Sequence, residues 1–79
     1  MILHVISAEY AGDYKIKVMF NDSSSGIADF KQKVSTDHRS IIRELIDLNK
    51  FRDFTVEAFT IVWKNGVDFA PEFIKSLCL

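Results

Sequence analysis

The sequence predicts an α+β domain: a small antiparallel sheet of four to five strands with one main helix packed on one face, in the order β-β-β-α-β-β plus a short C-terminal helical turn. Three observations carry this. Residues 14–20 alternate strictly, with Tyr14, Ile16, Val18 and Phe20 on one side and Lys15, Lys17, Met19 and Asn21 on the other. Residues 38–48 carry one amphipathic helical stripe. An Asn65-Gly66 corner lies between two runs of strand-forming residues.

Residues 2–10 form the first strand, with Ile2, His4, Ile6, Ala8 and Tyr10 on one face and Leu3, Val5, Ser7 and Glu9 on the other. Ala11-Gly12-Asp13 turns the chain into the second strand, which pairs with the first as an antiparallel hairpin. A polar loop, residues 21–26, leads to a short third strand from Ile27 to Phe30 or Lys31. Thr36 or Asp37 suits a helix N-cap, because either side chain can accept from an unpaired helix N–H. Ile42, Leu45, Ile46 and Asn49 then share a stripe, widened by Ile41 and Leu48, with Arg43 and Asp47 spaced for an i,i+4 pair. Residues 55–63 are β-branched and aromatic and read as one strand, with Phe59, Ile61 and Trp63 on one face and Thr60 and Val62 on the other. Asn65-Gly66 reads as a type I′ turn, because both central positions of that turn need positive φ. Val67-Asp68-Phe69 returns as a brief strand, and Pro71 opens a helical turn at N1. The expected core is Ile16, Val18, Phe20, Ile42, Leu45, Ile46, Phe59 and Ile61.

The 79 residues form one domain. The single Cys78 allows no intrachain disulfide, which fits a reducing, cytoplasmic setting. The N-terminal run has neither the basic start nor the long apolar stretch of a signal peptide, and no segment reaches the length of a membrane span. With ten Lys+Arg against eleven Asp+Glu, the net charge of −1 gives no general attraction to nucleic acid.

Catalytic and metal chemistry leave little trace. His4, His38 and Cys78 are too scattered for zinc-ligand spacing, and Gly12, Gly26 and Gly66 form no phosphate-binding motif. The serines at 23–25 have no histidine near them in sequence. The chain is therefore expected to be no enzyme and to need no metal or cofactor. Two groups are candidate sites. Trp63, Asp68, Phe69, Glu72 and Phe73 combine aromatic anchors with carboxylates, as interface centres do. The plainer reading makes the aromatics core and the two carboxylates partners of the helical turn at Pro71. Lys15, Lys17, Lys31, Arg39 and Arg43 form a basic face toward phosphates or an acidic partner. The plainer reading makes it a solvated face that protects a sheet edge.

The Tyr-x-Ile-x-Val-x-Phe strand at 14–20, Asp29-Phe30, Leu45, Asp47 and Phe51, and above all the closing Trp-x-Asn-Gly-x-Asp-Phe-Ala-Pro-Glu run at 63–72 resemble a small prokaryotic family, domain of unknown function 2442. The likeness spans nearly the whole chain. One departure is Asp22-Ser23, where similar members place Gly directly after Asp and this chain delays its glycine to Gly26. The resemblance implies a compact α+β fold and a protein partner, such as the product of a neighbouring gene in an antitoxin-like pair. A homodimer is expected as well, since small sheets leave edges and apolar surface uncovered. A small-molecule pocket between sheet and helix is the alternative, and a DNA-contacting regulator using the basic face a weaker one.

Overall fold

The computed structural model describes residues 2–79. Three strands, β1 (Val5–Gly12), β2 (Lys15–Phe20) and β3 (Ser25–Asp29), form an antiparallel meander in the order β1-β2-β3. Helical segments α1 (Lys31–Thr36), α2 (Ser40–Arg43), a 3-10 turn (Glu44–Ile46) and α3 (Leu48–Phe51) follow. A separate hairpin, β4 (Phe54–Glu57) and β5 (Thr60–Trp63), precedes α4 (Pro71–Ser76). The fold is α+β with two antiparallel sheets, of three and two strands, in place of the single sheet expected from the sequence.

The strict alternation of β2 sends Ile16, Val18 and Phe20 fully inward. In β1 the register shifts between Val5 and Ser7, so Ile6 is an extra residue opposite β2. A bulge of this kind exchanges the faces of a strand. Val5 is buried before it, Ala8 and Tyr10 lean on the core after it, and Ile6 is exposed. The two faces expected for residues 2–10 are thus spliced at Ile6.

The expected helix over 38–48 begins only at Ser40, tightens to a 3-10 turn over Glu44–Ile46 and breaks at Asp47. Asp37 accepts from the backbone N–H of Arg39, and Asp47 accepts from that of Asn49. Aspartate side chains compete in this way with helical hydrogen bonding, so each starts a new turn. Asp47 caps α3, whereas α2 begins after Arg39 with no side-chain cap. Ile42 and Leu45 stay buried as expected, but the turn at Asp47 swings Ile46 out to 49% exposure.

Residues 55–63 also divide. Glu57 pairs with Thr60, leaving Ala58 and Phe59 as a two-residue loop with φ of 48° and 70°. Phe59, expected in the core, is 61% exposed at this tip. The Asn65-Gly66 corner is real but of another type. Gly66 N–H donates to Trp63 O and Trp63 N–H to Val67 O, while only Gly66 has positive φ, 92°. That is a three-residue loop ending in a left-handed residue, not a type I′ turn. The return is a single bridge between Val62 and Asp68.

The loop after β2 repeats the construction. Ser23 N–H donates to Phe20 O, Phe20 N–H to Ser24 O, and Ser23 occupies the left-handed position at φ 71°. Gly66→Ala is therefore expected to cost on the order of 1 kcal/mol, and Ser23→Gly to gain a comparable or smaller amount. Paired urea midpoints would check both, and equal midpoints for wild type and Gly66→Ala would contradict the assignment.

The core is centred on aromatic rings. Phe30, Phe51 and Trp63 are each at most 1% exposed, and Phe69 is buried beside them. Trp63 lies 5.6 Å from Phe30, 5.7 Å from Phe51 and 5.7 Å from Phe69 between ring centroids. Its Nε1–H donates to Phe51 O at 2.7 Å, and the Thr60 hydroxyl donates to Phe69 O at 2.6 Å. No buried side-chain N or O lacks a partner among the described residues.

Candidate functional site

Within the segment 63–73, Trp63 and Phe69 are interior, Phe73 is half-buried against Phe69, and Asp68 and Glu72 point to solvent. The backbone explains the split: β5 directs Trp63 inward, and the Val62–Asp68 bridge sets Asp68 outward. Asp68 does not cap α4, whose N-cap is Ala70 without a side-chain bond. Glu72 does occupy its first turn. The aromatic anchors of this group therefore present little surface.

The basic group is brought together only in part, and carboxylates hold most of it. Lys15 and Lys31 both pair with Asp13, at 3.3 and 3.1 Å. Arg39 and Lys33 converge on Asp37, whose side chain is 3% exposed. Arg43 sits apart, at the end of α2, and the expected pair with Asp47 does not form; Glu44 instead meets Lys50 at 3.8 Å. Lys17 and Arg43 make no ion pair among the described residues.

Asp37 ties α1 to α2. The Arg39 guanidinium, then the Lys33 ammonium and the Arg39 backbone N–H, hold its carboxyl far below the usual carboxylate range. A depressed folded-state pKa contributes stability that is complete above the unfolded value and fades as pH falls below about 4. The melting temperature is therefore expected to drop on acidification below that point. Asp37→Asn should start lower at neutral pH and show a shallower acid slope; parallel slopes would place the acid sensitivity elsewhere.

Cys78 gives no sign of activation. Burial pushes its thiol up, with Lys75 opposing weakly, the reverse of a reactive thiolate. Among the described residues no cluster of three or more His, Cys, Asp or Glu could hold a metal. Nor is any helix long and apolar enough to cross a membrane. Between sheet and helices, where a ligand pocket is the alternative expectation, the rings of Phe30, Phe51, Trp63 and Phe69 pack on one another. An open depression of about 310 Å3 lies beside Trp63, Leu45 and Lys64.

The feature missed from sequence is the tip of the second hairpin. Phe59 projects there on left-handed backbone, and its ring stacks on His4, centroids 4.1 Å apart and 13° from parallel. Val5 N–H donates to Phe59 O at 2.8 Å, which fixes the tip to the start of β1. Asn21 anchors the same stretch, accepting from His4 N–H and donating to Ile2 O. Ile2, Ile6 and Val56, near it in the chain or across the pairing, are exposed too. An available signal was Glu57-Ala58, two residue types that strands disfavour, in the middle of the predicted strand.

A small α+β domain with an aromatic interior and a braced, outward-facing phenylalanine is what these elements define. The chain belongs to the family described as Protein of unknown function (DUF2442), whose model matches residues 5–78. No curated protein and no solved structure matches it.

Proposed function

We propose that this is a non-catalytic cytoplasmic module that binds a protein partner, such as the product of a neighbouring gene, and that Phe59 is its anchor. The supporting observation is the Phe59 tip. Left-handed φ at a non-glycine residue is costly, and Asn-Gly would build the same two-residue turn with less strain. A large exposed aromatic held there by a histidine stack is pre-organised, so little ordering is lost when it enters a partner's apolar pocket. The packed aromatic interior favours this reading over a buried small-molecule site. The pairing of Lys15, Lys31 and Arg39 with carboxylates weighs against the DNA reading.

The test is affinity capture from the native host with tagged wild type and tagged Phe59→Ser. A protein retained at near-stoichiometric amount by wild type and lost by Phe59→Ser is the expected result. Equal retention by both, or retention of nothing by wild type, would overturn the anchor. Both proteins should show matching far-UV spectra, since Phe59 lies outside the core.

A further inference from the structure

The face of the three-stranded sheet that turns away from the core carries Ser7, Glu9, Lys17, Met19, Ser25 and Ile27. Register pairs Glu9 with Lys17 and Ser7 with Met19 across β1 and β2. Glu9 and Lys17 are both exposed, adjacent and opposite in charge, yet neither joins an ion pair among the described residues. Met19 is 47% exposed beside the small Ser7. A depression of about 230 Å3 opens along this strip, lined by Ser7, Glu9, Lys17 and Met19 among others.

We propose that this strip is an isologous contact with a second copy of the chain. Consider a two-fold axis parallel to the strands and midway between β1 and β2. It lays β1 of one copy over β2 of the other, the packing of two facing sheets about 10 Å apart. The same rotation sets Glu9 against Lys17 of the second copy, and Lys17 against its Glu9. It also sets each Met19 over the other copy's Ser7, so a long flexible side chain meets the space a short one leaves. One symmetry operation satisfies both charge and size, as a self-complementary patch must. A uniformly acidic or basic partner would instead place one of the two charges against its like. The strip is two strands wide, so the total area buried falls below about 1,000 Å2, the range of weak, concentration-dependent contacts.

Sedimentation equilibrium from low micromolar to millimolar concentration tests this on four samples: wild type, Glu9→Lys, Lys17→Glu, and an equimolar mixture of the two variants. Wild type should rise from 9.1 kDa toward twice that mass. Each variant alone faces like charge in its own copy, so its association should weaken at least about tenfold. The mixture should recover the wild-type rise, because the reversed charges then face their opposites across the two copies. A pairing confined within one chain would not recover on mixing. A wild type that stays monomeric, single variants that associate as wild type does, or a mixture that fails to recover would each overturn the proposal.

Discussion

Trp63→Ala is expected to cost about 3–5 kcal/mol, the range for removing a large buried aromatic. That is a large part of the roughly 5–15 kcal/mol by which domains are usually stable, and this chain is at the small end. The indole is 1% exposed and packs against Phe30, Phe51, Phe54 and Phe69. Its removal leaves a void among rigid rings and strips the buried Phe51 carbonyl of its donor. Trp63→Phe separates the two effects, since it keeps a ring but loses the N–H, at an expected cost of about 1–3 kcal/mol plus the smaller volume. Urea unfolding followed by far-UV circular dichroism gives the comparison without relying on the lost fluorophore. The midpoints should fall in the order wild type, Trp63→Phe, Trp63→Ala. A loss below about 1 kcal/mol for Trp63→Ala would show that the aromatic cluster closes without its centre.

The hairpin tip should respond in the opposite sense. Ala58→Asn with Phe59→Gly installs residues that tolerate positive φ at both loop positions, relieving about 1–2 kcal/mol at each. The lost stack on His4 takes back about 0.5–1.5 kcal/mol. A net gain of roughly 0.5–3.5 kcal/mol is expected, together with loss of the captured partner. Ala58→Asn alone should stabilise modestly and keep the partner, because Phe59 and its stack remain. A double variant less stable than wild type would mean that the tip contributes to the fold more than its backbone costs.

These opposed responses mark where sequence reading succeeds and where it stops. β2 was legible because its period-2 pattern is unbroken and one face is wholly buried. Pro71 opened α4 as expected, since a missing N–H costs nothing at a helix start. The helix over 38–48 kept its buried Ile42 and Leu45 but not its continuity. Hydrophobic spacing records which residues face inward, and it is silent on whether Asp37 or Asp47 will take a backbone N–H for itself. Strand propensity dips across 55–63 only at Glu57-Ala58, and the loop itself carries no turn residue, since neither Ala58 nor Phe59 is one. Composition leaves Trp63 open between surface and core and favours the core for Phe69; the direction of β5 turns Trp63 inward, and Phe69 packs beside it. The exposed aromatic that carries the functional proposal lay four residues before Trp63, in a strand the pattern had made continuous.

The outer edge of β3 is closed by residues from the far end of the described chain. Cys78 bridges Ala28, Asp29 N–H donates to Leu77 O, and Leu79 N–H donates to Ile27 O. Gly26 makes room for this, since a Cβ there would lie 3.0 Å from Cys78 Cβ. Closing so long a loop carries an entropy cost that the local β1-β2-β3 meander does not share. The seam should therefore be a separate cooperative unit that detaches with α4 while the meander stays paired. In native-state hydrogen exchange, the Asp29 and Leu79 amides should open together and well before those of β2. During synthesis the meander would form first and keep one strand edge bare until residues 77–79, just after α4, arrive to cover it.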